Sequence, residues 1–158
     1  MGGYIASSRD VVSFLRRRSP ANVYACSMSP VCAKQALLAL ELIQGRDGST
    51  HGREKLDKIK SNANMFRNGL NEIGLQVIGD HDSPVIPCML FNPAKIPAFS
   101  RACLARKLAV VVVGYPATPL LKSRIRFCIS AAHEEDDLKS ALAIIKQVAD
   151  ECLIRYKA

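Results

Sequence analysis

The hydrophobic pattern runs first with a helical period and later with a strand period, and the change divides the chain. Residues 10–18, DVVSFLRRR, set Val11, Val12, Phe14 and Leu15 before a basic run, which predicts a short amphipathic helix stopping ahead of Ser19-Pro20. Ser29 before Pro30 reads as an N-cap with proline at the first helical position, and Gly45 after Ile43 and Gln44 reads as a stop. The intervening VCAKQALLALELIQ is apolar nearly all round, so this helix is expected to pack on several sides. Beyond the polar loop GRDGSTHG, positions Leu56, Ile59, Ala63, Phe66, Leu70 and Ile73 recur at spacings of three and four, one stripe on a long helix closed by Gly74. The stripe is too short for a coiled coil and suits packing on a sheet.

Strand texture follows. LQVI at 75–78, VIPCMLF at 85–91 and AVVVV at 109–113 are expected strands, with a helix over 97–107 separating the last two. In residues 125–130, IRFCIS, Ile125, Phe127 and Ile129 alternate with Arg126, Cys128 and Ser130, so Arg126 points away from the core side. A last helix begins near His133, with Glu134, Glu135, Asp136 and Asp137 at its positive end, and runs through Leu138, Leu142, Ile145, Val148 and Cys152. The order from the boundary onward is that of a small α+β domain. The expected division is residues 1–48 and residues 49–158.

Composition narrows the chemistry. With 158 residues, 49% hydrophobic and 23% charged, the chain is expected to fold. No stretch approaches the roughly 18 apolar residues of a membrane span, and MGGYIASSRD lacks the layout of a signal peptide. The net charge of +8 permits an anionic partner such as a lipid surface or a coenzyme A phosphate. Nucleic acid is not expected, because the basic residues carry no aromatic interleaving and Arg16, Arg17 and Arg18 read as a solvated helix face. The six cysteines form no C-x-x-C pair and sit mostly in apolar segments, which suits a reducing compartment. The three histidines are far apart, so no metal site is expected.

Arg126 has two readings. It is a solvated or surface-paired arginine, or it faces a cleft and awaits a carboxylate. Pro116 and Pro119 favour the second, because they stiffen the turn just before this strand and loops on rigid scaffolds concentrate binding residues. A guanidinium grips a carboxylate with two parallel hydrogen bonds. Cys128 and Ser130 fall on the same face and read as packing beside it, while His133 reads as local capping.

GGYIASS, YACSMSP, DSPVIPCMLFNPAKIPAFSR, VVVVGYPATP and SRIRFCISAAH, in this order, resemble the α-oxoamine synthase family of pyridoxal-phosphate enzymes, and within it the catalytic subunits that make long-chain sphingoid bases. The resemblance covers essentially the whole chain. It implies the aspartate aminotransferase fold (fold type I): residues 49–158 would be the complete C-terminal small domain, of α+β or α/β class, and residues 1–48 a remnant of the large domain with a strand and helices. It implies a condensation of L-serine with palmitoyl-CoA to 3-oxosphinganine, pyridoxal 5'-phosphate as cofactor, a second subunit as partner, and association with the cytosolic face of the endoplasmic reticulum membrane.

By the same resemblance, Arg126 matches the arginine that binds the substrate carboxylate, and Pro116, Ala117, Thr118 and Pro119 match a loop that closes over the active site. Gly2 and Gly3 match a glycine pair that follows the cofactor lysine. That lysine is not in this chain, and Lys34 reads as an ordinary helix residue, so the chain alone is expected to be inactive. Cys26 stands where the family has a threonine that reaches the cofactor phosphate. A thiol is a weaker donor, so Ser27 or the backbone would have to supply that contact. Two rivals stand beside this reading: another α-oxoamine synthase, using glycine or another acyl-CoA, and a non-catalytic fragment that binds other subunits through its apolar helices.

Overall fold

The computed structural model describes residues 3–156. Two compact units divide between Arg53 and Glu54.

The first unit is helical. Helix α1 (Arg9–Arg18) ends as Ser19 turns to extended backbone ahead of Pro20, and α2 (Pro20–Tyr24) starts on that proline. Helix α3 (Pro30–Ile43) is capped by Ser29, whose side chain accepts from the Cys32 N–H at 3.3 Å. Gly45 then takes φ +68° and ends the run. The expected packing of α3 on several sides is not found. No residue from 3 to 53 is buried, and Val31 is 79% exposed. The strand implied for this region is also absent among the described residues, because a lone extended segment here has no neighbour to pair with.

The second unit begins within helix α4 (His51–Glu72) and continues through β1 (Val85–Met89), α5 (Lys95–Ala105), β2 (Val111–Val113), a single 3-10 turn (Leu120–Lys122), β3 (Arg124–Cys128) and α6 (Glu135–Glu151). The strands form one antiparallel sheet in the order β1-β3-β2. Its core side carries Ile86, Cys88, Ile125 and Phe127, packed with Phe66 and Leu70 of α4, Phe99 and Cys103 of α5, and Ile145 and Val148 of α6. Phe66 meets Phe127 edge-on, with ring centroids 5.4 Å apart. Each such side chain contributes about 1.5–3 kcal/mol on burial. The α4 stripe is buried only from Ala63 onward, and Leu56 remains 46% exposed. Leu142 of α6 packs against α4 at Gly69, where a Cβ would lie 2.5 Å from Leu142 Cδ1.

Residues 75–78 do not form a strand. They make an isolated bridge, Val77 with Cys88, flanked by Ile78 N–H to Pro87 O at 3.0 Å and Met89 N–H to Gln76 O at 2.9 Å. Pro87 has no N–H to return to the Ile78 carbonyl, so the ladder stops. Arg67 of α4 fills the gap, donating from Nη1 to Ile78 O at 3.0 Å and to Gly79 O at 3.3 Å. Helix α6 starts two residues after the expected His133, with Glu134 as N-cap and its N–H bonded to Asp137 Oδ2 at 3.2 Å.

Candidate functional site

Arg126 stands on the central strand, opposite Pro87 of β1 and Val111 of β2. Its neighbours Ile125 and Phe127 are buried while Arg126 and Cys128 are exposed, as the alternation requires. None of the residues of VIPCM, VVV and RIRFC is acidic, so the sheet offers the guanidinium no internal counter-ion. Arg126 borders a concavity of about 280 Å³ that opens where β2 and β3 stop pairing, beyond Val111 and Arg126. Its floor is apolar, with Phe66, Leu138 and Ile145. His133 and Asp137 are its other polar residues. His133 Nδ1 accepts from the Ser130 N–H at 3.2 Å, a local turn contact, so this nitrogen is the acceptor in that bond. The half-buried turn is fixed from α4 by Asn62, whose Nδ2 donates to Ser130 O at 3.3 Å and His133 O at 2.9 Å. A cation at the mouth of an apolar pocket suits a small carboxylate.

The loop 116–119 lies at the other end of the β2–β3 hairpin. Pro116, Ala117 and Pro119 are exposed, and Thr118 is buried, with its N–H bonded to Gly114 O at 3.1 Å. The Thr118 hydroxyl has no hydrogen-bond partner. These residues do not line the Arg126 concavity. They adjoin the position of Arg124, which the sequence reading passed over although the spacing Arg-Ile-Arg puts it on the same face as Arg126.

In the first unit, Gly3, Cys26 and Ser27 border one open concavity of about 360 Å³, together with Arg16. Gly2 lies outside the described residues. In the sequence Arg16 belongs to a run expected to be solvated, and nothing local ties it to YACS. A guanidinium, a hydroxyl and backbone N–H groups form a donor set that fits a phosphate group. No lysine borders this concavity.

Among the described residues no group of three His, Cys, Asp or Glu could hold a metal ion. Burial pushes the Cys88 thiol up to about 12 and the Cys103 thiol up to about 11, which keeps both protonated and inert. Cys26 and Cys128 are exposed.

Residues 1–145 match the family model described as aminotransferase class I and II. Long chain base biosynthesis protein 2a of Oryza sativa subsp. japonica is 52% identical over 155 residues, covering 98% of this chain and 32% of that protein. Serine palmitoyltransferase 2 of Dictyostelium discoideum is 53% identical over 156 residues, covering 99% of this chain and 32% of that protein. The chain thus spans about a third of the length of the curated relatives it matches. A Sphingomonas wittichii serine palmitoyltransferase structure superposes with a TM-score of 0.72 over 95% of this chain and 36% of that one, at 21% identity, a likeness of fold.

Proposed function

The chain belongs to the class I and II aminotransferase family, and from that premise we propose that it is the part of a serine palmitoyltransferase catalytic subunit that receives the carboxylate of L-serine. The observation that carries this reading is Arg126, a guanidinium on a rigid central strand whose sheet contains no acid to neutralise it. The name of the Dictyostelium relative, which matches nearly all of the chain, supports serine and a palmitoyl donor as the substrates.

Arg126 supplies two parallel N–H donors to the carboxylate and fixes the amino acid's orientation. The apolar floor beside it limits water around that ion pair and strengthens it. Pro116, Ala117, Thr118 and Pro119 form the flap beside the hairpin. In the first unit, Arg16 and Ser27, with the backbone at Gly3 and Cys26, hold the cofactor's phosphate. Pyridoxal phosphate, when bound, supplies the electron sink for bonds broken at the amino acid's α-carbon. Its covalent attachment would call for an amine, and no lysine lines this concavity. The same reading includes a second subunit and the cytosolic face of the endoplasmic reticulum. No described helix is long and apolar enough to cross a membrane, and attachment through the partner subunit is part of this proposal. Flotation of the chain with microsomes only when the partner is co-expressed is the expected result; flotation without it rejects this attachment.

The test of the central claim replaces the matching segment of the Dictyostelium relative by this chain and follows 3-oxosphinganine formation from serine and palmitoyl-CoA. Arg126→Lys is expected to lower kcat/KM for serine by about 10- to 100-fold, the worth of one bidentate charge-assisted contact. Unchanged serine kinetics reject the assignment. Preference for glycine or another acyl-CoA would instead point to a different α-oxoamine synthase.

A second reading, a non-catalytic fragment that binds other subunits, is favoured by one observation: no residue from 3 to 53 is buried. Co-purification with an intact catalytic subunit without gain of activity supports it, and failure to co-purify removes it.

A further inference from the structure

Arg126 is not the lone cation on its face. Arg124 lies two residues earlier on the same strand, so both side chains leave the same side of the sheet about 7 Å apart. Arg124 stands between Met89 and Val113, and Arg126 between Pro87 and Val111, an apolar frame on both sides. Elsewhere in this unit cations have found acids: Lys58 pairs with Glu134 at 2.7 Å, Lys60 with Asp82 at 2.9 Å, and Arg155 with Asp150 at 2.6 Å. Neither Arg124 nor Arg126 has such a partner among the described residues, although Asp137 borders the concavity of Arg126 with its Oδ2 engaged by the Glu134 N–H.

Arg124 is also held. Its Nε–H donates to the Lys122 carbonyl at 3.3 Å, which orients the guanidinium and leaves both terminal amino groups available. Two like charges at this spacing on one face of the strand repel each other, a cost that an anionic ligand removes. The spacing suits two anionic groups better than one.

We propose that Arg124 is a second anion-binding residue, taking a phosphate of the acyl-thioester carrier while Arg126 takes the amino acid's carboxylate. The guanidinium fork matches phosphate oxygens as well as it matches a carboxylate, and the neighbouring Lys122 is exposed and adds positive potential. This rests on the reading that the second substrate is a coenzyme A thioester. It makes Arg124 a determinant of carrier recognition and gives it no part in the chemical step.

The experiment titrates the 158-residue chain, labelled with nitrogen-15, with coenzyme A, with pantetheine, which lacks the phosphates, and with L-serine, following the arginine Nε–Hε resonances. Coenzyme A is expected to shift Arg124, pantetheine is expected to leave it unmoved, and inorganic phosphate is expected to compete. Arg124→Gln should weaken coenzyme A about tenfold, and Arg124→Lys, which keeps the charge and loses the fork, about threefold. Serine shifts should vanish in Arg126→Gln and persist in Arg124→Gln. Coenzyme A affinity within twofold of the parent in Arg124→Gln, or equal binding of pantetheine, overturns the proposal. Loss of the serine response alone would sink the carboxylate reading and leave the phosphate site standing.

Discussion

Replacing Arg67 by methionine tests whether this buried cation is a structural substitute for one missing backbone donor. Arg67 is 3% exposed, and its Nε and Nη2 have no partner. Its Nη1 serves the carbonyls of Ile78 and Gly79, the first of which Pro87 cannot serve. Losing two charge-assisted bonds costs about 1.5–3 kcal/mol each at most, and the 3.3 Å bond is worth less. Against that, methionine removes the buried N–H groups left unpaired at Nε and Nη2, which together return about 1–3 kcal/mol. The opposing effects leave an expected net loss of about 1 kcal/mol.

Pro87→Ala supplies the absent N–H to Ile78 O, so Arg67→Met in that background should be close to neutral. The double-mutant cycle is expected to show a coupling of about 1 kcal/mol, which also cancels the unfolded-state effect of removing a proline. Urea unfolding followed by far-ultraviolet circular dichroism measures it. Coupling below about 0.3 kcal/mol, or a loss above about 3 kcal/mol in both backgrounds, would refute the reasoning.

Three further outcomes are expected. Cys88 and Cys103, held at about 12 and about 11 by burial, should resist a thiol reagent at pH 8 that labels Cys26 and Cys128 within minutes; because their folded values lie above the ordinary 9.0, the stability they confer is complete below pH 9 and is lost as pH rises toward 11–12, which a pH series of melting temperatures checks. The apolar surface of α3, with Leu37, Leu38, Leu40 and Leu42 each more than 40% exposed, should drive concentration-dependent association in sedimentation experiments and leave the amides of 30–43 fast-exchanging; a monodisperse monomer with those amides protected contradicts this. Gly69→Ala should be close to neutral, because the gain in helix propensity of about 1 kcal/mol is offset by displacing the flexible end of Leu142, whose Cδ1 would lie 2.5 Å from the new Cβ, and in a Leu142→Ala background the same substitution should stabilise by about 1 kcal/mol.

What the sequence by itself determined was whatever depends on near neighbours. The Ser29-Pro30 start and Gly45 stop of α3, the stripe from Ala63 to Leu70, and the outward direction of Arg126 all follow from caps and from periods of 3.6 and 2. The same alternation also carried Arg124, since the spacing that turns Arg126 outward turns Arg124 outward with it. The tertiary structure alone decided what those elements meet. LQVI has a strand's composition, yet one proline on the facing strand reduces it to a single bridge and recruits Arg67 from a helix. The apolar residues of α3 promise a core, but burial needs a second surface, and residues 3–53 provide none for themselves. Arg16 joins Gly3, Cys26 and Ser27 only because α1 and α2 fold the chain back upon itself. Local geometry is written in a few consecutive side chains, whereas a partner is fixed by chain distant in sequence, whose position no local pattern encodes.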